Sequence, residues 1–334
     1  MSKVKLSIAC GDYEIIRPLK EGRVKIDGVD LTMLTENAAR DRTFRIERNA
    51  ETDAGEMNVC GYYMSRDRDH PAIGLPVFLH RRFRHGFLFV NPSKGYTKPS
   101  DVKGGKVACL GGINAAACVW LRGIMSDEYD LKLEDVTWYT DSPHELFLPK
   151  GTTIEQKKGF DVQVVSDKPG LEERLLNGEI DLLMAPGYPE SFLAGDKRIA
   201  RLFPDYKAEE TAYYKKTNIF PIMHTLIIKE ELVAKYPWLA SNIAYAFNES
   251  KRLALHYLSN PRALPIAFYT STMEEQTALL GPDPWQYSMN DINRKNVETS
   301  LRYCYEQGLI TKKPPIDELF VPLDRLIWRG IQGF

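Results

Sequence analysis

Cysteine is scarce in this chain and follows no pattern. The five residues, Cys10, Cys60, Cys109, Cys118 and Cys304, are odd in number and widely spread, with no C-x-x-C pair and no metal-finger spacing. That excludes a disulfide framework and points to a reduced compartment. Long apolar runs are missing too: none approaches the roughly 20 residues needed to span a bilayer. The apolar stretch at 6–10 is too short and too interrupted for a secretory signal, so the chain reads as cytoplasmic, with no membrane partner. Neither sign of charge is in excess. Lys+Arg 44 against Asp+Glu 45 gives a net charge of -1, which removes the simplest electrostatic argument for nucleic acid as a partner. Internal repeats and low-complexity tracts are absent. The run Gly-Gly-Ile-Asn-Ala-Ala at 111–116 lacks the G-x-G-x-x-G spacing of a dinucleotide fingerprint.

What is present is a large apolar fraction in alternating short segments. At 334 residues and 43% hydrophobic content, the chain can bury one large core or two modest ones. Strand patterns cover 5–9, 25–34, 56–64, 106–110, 136–139, 160–165 and 180–184, with helical patterns at 40–48, 115–125 and 171–177. Beyond 230 the pattern turns helical, at 230–235, 239–258 and 290–307. Strand and helix alternate, so the fold class is α/β. Loop-like crossovers near 92–105 and 209–214 divide the chain into lobe 1, residues 1–95 and 212–334, and lobe 2, residues 96–211, with a cleft between them.

Several stretches carry candidate chemistry. Thr217-Asn218-Ile219-Phe220-Pro221-Ile222-Met223-His224 runs on into Thr225-Leu226-Ile227-Ile228, so His224 interrupts what reads as a buried strand. A buried imidazole must find a hydrogen-bond partner or cost about 1 kcal/mol or more in desolvation; a satisfied core histidine and a functional one both meet that demand. His80-Arg81-Arg82-Phe83-Arg84-His85 packs three arginines and two histidines into six positions. As a continuous strand it sets His80, Arg82 and Arg84 on one face and Arg81, Phe83 and His85 on the other. That row is either an anion site, because guanidinium forks suit carboxylates, or a charged edge that deters strand pairing. Asn114 stands as the cap of the helix at 115–125, and the glycine turn before it makes an anion cradle or a plain capped helix. Asp12 is a helix cap or a group projecting from the carboxyl end of the first strand. Asp141 and His144 sit in a turn whose side chains either face the cleft or serve ordinary turn chemistry.

Two α/β lobes, two crossovers and a helical C-terminal return resemble the type II periplasmic-binding-protein fold. The segments Pro76-Val77-Phe78 through Arg82-Phe83-Arg84-His85, Val119-Trp120-Leu121-Arg122-Gly123-Ile124-Met125, Gly178-Glu179-Ile180-Asp181 and Thr217 to His224 further resemble the 4,5-dihydroxyphthalate decarboxylase family. The resemblance implies an enzyme that removes carbon dioxide from a hydroxylated aromatic acid, a small-molecule partner. It leaves homo-oligomerisation open, as well as a non-catalytic receptor or sensor for small acids. On this reading His224 is the general acid and His85 orients a phenol or shares the proton transfer. Arg82 and Arg84 anchor the retained carboxylate. Asn218, Asn114 and Asp12 bond hydroxyls, and Phe220, Asp141 and His144 complete the substrate pocket. The turns at 60–62 and 110–115 depart from the family pattern, and both are expected to line the cleft. No cofactor is expected. A divalent metal stays open, because His85, His224, Asp12 and Asp141 are N and O donors, although none has compact ligand spacing.

Overall fold

A computed structural model describes residues 3–36, 42, 45–46, 51–142, 160 and 162–323. Eleven strands lie among them: β1 (Val4–Cys10), β2 (Val29–Thr35), β3 (Ala54–Asn58), β4 (Ala72–Arg81), β5 (Leu88–Val90), β6 (Lys106–Cys109), β7 (Thr137–Thr140), β8 (Val162–Val164), β9 (Leu182–Met184), β10 (Ala200–Arg201) and β11 (Ile222–Lys229). They form two sheets, ordered β2-β1-β3-β11-β4 and β10-β5-β9-β6-β7-β8. The chain therefore crosses between sheets twice, after β4 over 82–87 and before β11 over 202–221. This is the two-lobed α/β fold expected from the sequence, but the first passage precedes the expected loop at 92–105, because β5 already pairs within the second sheet.

β11 returns to the first sheet and slots antiparallel between β3 and β4. Its two faces are packed into separate cores, Ile222, Met223 and Ile227 in one and Leu226 and Ile228 in the other, so its sequence is almost uninterruptedly apolar. The longer helices are α1 (Val59–Arg66), α2 (Ala116–Tyr129), α3 (Tyr206–Thr217), α4 (Leu239–Leu258), α5 (Tyr269–Leu280) and α6 (Asp291–Glu306). α4 buries Leu239, Ala240, Ile243, Ala244 and Phe247 against Leu75, Val77 and Leu79 of β4, the i, i+3/i+4 stripe that its sequence announces.

A second core lies between the lobes. It joins Met57, Phe78, Ile222, Met223 and Ile227 of the first sheet to Val107, Trp120, Ile124 and Leu182 of the second lobe. Trp120 Nε1 donates to the Ile222 carbonyl at 2.8 Å, so α2 of one lobe is fastened to the start of β11 in the other. Gly123 of the same helix is required by close packing, since a Cβ there would lie 2.3 Å from the Tyr303 ring.

Three local expectations are corrected. The strand expected at 56–64 ends at Asn58, whose side chain accepts from Cys60 N at 2.9 Å and starts α1. The segment 60–62 is thus buried helix rather than cleft lining. The helix expected from Ala115 begins at Ala116, with Ala115 in the cap position and no side-chain cap from Asn114. β4 stops at Arg81, so the alternation projected through His85 does not hold: the following turn, not a strand, places Arg84 and His85, and it buries both.

Candidate active site

The geometry of β3 and β11 brings a carboxylate to His224. In their register His224 lies opposite Asn58 and Leu226 opposite Glu56, which sets Glu56 and His224 on one sheet face as diagonal neighbours, about 7–8 Å apart and within reach of long side chains. On the other side, the β4–β11 ladder shifts register on either side of His224, a bulge of the kind that re-aims a side chain. His224 Nδ1 ends 2.5 Å from Glu56 Oε1.

Glu56 has no solvent exposure and is saturated with donors. Gly11 N–H and Tyr13 O–H donate to it at 2.7 Å each, and Arg42 pairs with it at 3.1 Å. Burial alone would raise this carboxyl. The His224 imidazole, the Arg42 guanidinium and the Gly11 N–H outweigh burial and hold it down to about 2. It is an ionised group in the core. The carboxylate fixes the ring's orientation and its Nδ1–H tautomer, leaving Nε2 as the nitrogen available for chemistry.

His80, paired with His224 across the ladder, packs edge-on against it with ring centroids 4.9 Å apart. Burial, and then the neighbouring His224 and Arg84, push His80 down to about 2, so it is a neutral imidazole. His80 and Tyr13 both reach the wall of a cavity of about 1430 Å³, together with Asp12, Arg82, Phe83, Phe87, Glu210 and Phe220. The Glu56–His224 pair stands behind those two wall residues, and the His224 side chain retains 14% exposure. Glu210 on the wall is shifted upward: burial raises its carboxyl to about 7, against the Gly86 N–H it accepts at 3.2 Å.

The two arginines differ. Arg82 is exposed on the cavity wall, its guanidinium 5.1 Å from the centroid of the Phe87 ring. Arg84 is buried, giving Nε to Met223 Sδ at 3.1 Å and one terminal nitrogen to the Pro186 carbonyl at 2.9 Å. Burial, with Arg82 alongside, lowers it to about 9. Neither guanidinium is in a salt bridge among the described residues, although Asp12, Glu14, Glu210 and Glu274 share the cavity wall with Arg82.

The remaining expected residues are dispersed. Asp12 lies on the cavity wall and accepts from Lys20 at 2.8 Å. Phe220 lies there too, its ring 4.8 Å from Phe83 and 5.2 Å from Trp285. Asn218 is the exposed left-handed cap of α3, φ 55°, with its N–H on the Tyr214 carbonyl, a backbone role that Asn fills well. Asn114 is buried, its carbonyl accepting from Asn58 at 3.2 Å while its Nδ2 lacks a partner. Asp141 accepts from Gly111 N–H at 2.8 Å, and His144 lies outside the described residues.

His85 is 1% exposed and surrounded by the rings of Tyr213, Tyr129 and Phe203, at 5.2, 6.0 and 6.1 Å. Neither ring nitrogen has a partner, and burial lowers it to about 4. This neutral core histidine, like His224 itself, is not among the residues that line the cavity; what separates the two is the carboxylate that only His224 meets. Among the described residues no group of three or more His, Cys, Asp or Glu side chains is arranged to hold a metal ion, and the four donors named from the sequence do not converge. Glu56 and Tyr13 are not among the sequence candidates, whereas His80 is, as part of the arginine row. The available signal was the acid inside Ala54-Gly55-Glu56-Met57-Asn58, because a carboxylate in a strand interior is almost never buried without a partner.

One relative matches this chain along nearly its whole length. The chain is 30% identical over 325 residues to a 4,5-dihydroxyphthalate decarboxylase from Comamonas testosteroni, covering 96% of this chain and 98% of that protein. An enzyme of the same name from Pseudomonas putida is 29% identical over 216 residues, 64% of this chain and 83% of that protein. The chain matches no protein-family model. Among solved structures, the periplasmic aliphatic sulphonate binding protein SsuA from Escherichia coli superposes with a TM-score of 0.56 at 13% identity, covering 96% of this chain and 98% of that one. The desulfurization enzyme DSZB gives a TM-score of 0.50 at 14% identity, over 96% and 97% of the two chains. These structural likenesses establish the periplasmic-binding-protein-like fold alone. The sequence relationship, at 30% identity along nearly the whole of both chains, carries further: this chain belongs to the 4,5-dihydroxyphthalate decarboxylase family.

Proposed function

We propose that the protein is a non-oxidative decarboxylase of a hydroxylated aromatic, phthalate-like carboxylic acid. The observation that carries this reading is the buried ionised Glu56 at 2.5 Å from His224, beside a cavity whose wall includes Arg82. In the proposed step, protonated His224 transfers its Nε2 proton to the ring carbon bearing the carboxylate, while a conjugated hydroxyl supplies electron density to the ring. The C–C bond to the carboxylate then breaks, its electron pair returns to the ring to restore aromaticity, and carbon dioxide leaves. His224 regains a proton from water. Arg82 holds the carboxylate that remains, and the buried charge of Arg84 adds to the positive potential in a site of low dielectric. Neutral His80 and Tyr13, on the wall, hydrogen-bond the substrate's hydroxyls. Asp12 lies within the same wall.

Support comes from the named relatives and from the Glu56–His224 pair, which a binder of acids does not need. The fold neighbours that bind sulphonates favour a second reading, a small-acid receptor without chemistry. Incubating the protein with a panel of hydroxylated aromatic acids separates the two: carbon dioxide release supports the enzyme, and tight binding with no release supports the receptor.

A further inference from the structure

The cavity is too large for a one-ring acid. A benzene-sized ring fits a cavity of about 150 Å³, and pockets for drug-sized ligands run to about 300–1,000 Å³, whereas this one measures about 1430 Å³. Its acid-binding end, with His80 and Arg82, occupies one part. The rest runs on under α4 and α5, walled by Leu255, Leu258, Leu264, Met273, Pro282 and Pro284.

Movement of the lobes does not account for this space, because the walls of the arm belong to the C-terminal helices, and α4 is packed on the first sheet. The arm is also built firmly. Lys251, buried in α4, pairs with Asp283 at 2.5 Å and donates to the Trp285 carbonyl at 2.8 Å, tying the segment after α5 back to α4. At the other end of α5, Tyr269 O–H donates to the Leu258 carbonyl. α5 fully buries only Tyr269, and the face it turns to the cavity, with Met273 and Ala278 among its residues, lines open space there. The Trp285 ring stands against Phe220, which makes the arm continuous with the acid-binding end.

We infer that the arm is a second subsite for an apolar substituent, so that the preferred ligand is a hydroxylated aromatic acid bearing an alkyl or aryl group on its ring. This deepens the functional reading above and rests on it for the acid end alone. Each methylene moved from water into the arm strengthens binding about fourfold, or roughly two orders of magnitude for a four-carbon chain.

Titration calorimetry on the full chain tests the subsite without requiring turnover. The probes are 4,5-dihydroxyphthalate and its ring-butylated analogues, each also assayed for carbon dioxide release. The expected result is binding of at least one butylated acid at least thirtyfold tighter than the parent. Met273→Trp fills the arm and cuts that preference at least tenfold, leaving parent binding within threefold. Met273→Gln, which keeps the volume, does the same by polarity if the larger residue prevents folding. Equal binding of parent and butylated acids, or a preference unmoved in a folded variant, overturns the subsite. A preference that persists with no carbon dioxide released from any probe upholds the subsite and overturns the decarboxylase reading instead.

Discussion

His224 lies within strand β11 and His85 in the turn that follows β4, and the fold gives the two imidazoles opposite surroundings. His224 meets a buried carboxylate at 2.5 Å that is itself held by Arg42, Tyr13 and Gly11. His85 meets three aromatic rings and no hydrogen-bond partner. Burial is common to both and so does not distinguish a working histidine from a packed one. The partner does: a carboxylate sets tautomer and orientation, whereas rings only exclude water and depress basicity.

That contrast can be broken in order of expected effect. His224→Asn abolishes turnover, with substrate affinity by calorimetry within a few fold of wild type; full activity would end the assignment of His224 as proton donor. Glu56→Gln lowers kcat by about 100-fold or more, at the low end of general-acid contributions, and destabilises the fold by about 3–5 kcal/mol because Arg42 is left buried without its counter-charge. Denaturant melts and steady-state kinetics read the two effects separately. Arg82→Ala raises KM about tenfold or more with a smaller change in kcat, since the guanidinium holds the carboxylate that does not react.

Stability against pH sharpens the comparison from both sides. The Glu56 carboxyl lies at about 2 in the fold against an ordinary 4.5, so its contribution is complete above 4.5 and is lost as pH falls toward 2. His85 lies at about 4 against an ordinary 6.5. The unfolded chain takes up that proton first, so stability is complete above 6.5 and declines as pH falls toward 4. Thermal melts across pH 2–8 are expected to show both losses, with Glu56→Gln reducing the lower and His85→Phe reducing the upper without abolishing it, because His80, held at about 2, loses stability from 6.5 downward as well. The smallest effect belongs to the same His85→Phe variant in the assay: turnover within threefold of wild type. A loss of tenfold or more would return His85 to the catalytic machinery.

Much of the scaffold was legible in the chain. The helix at 239–258 and the last long helix, with Asn290 as its cap, follow the expected bounds closely, because apolar stripes and capping residues act over one or two turns. The apolar return strand was legible as buried for the same reason. The errors lie where local pattern and tertiary demand compete. β-branched and aromatic residues after Asn58 suit a strand, but the Asn58 side chain caps a helix instead. Asn114 looks like a cap and is drawn into the interior, its carbonyl bonded to Asn58 of the other lobe.

By itself the sequence determined the α/β alternation, the helical return and the concentration of arginine next to His80. Each follows from short-range periodicity or composition, which requires no knowledge of what lies opposite. The tertiary structure alone decided which histidine acquired a carboxylate. Glu56 and His224 are 168 residues apart, and they meet because β11 enters the sheet antiparallel between β3 and β4 in one register, with a bulge at the imidazole. A slip of one residue would turn His224 to the opposite face of the sheet.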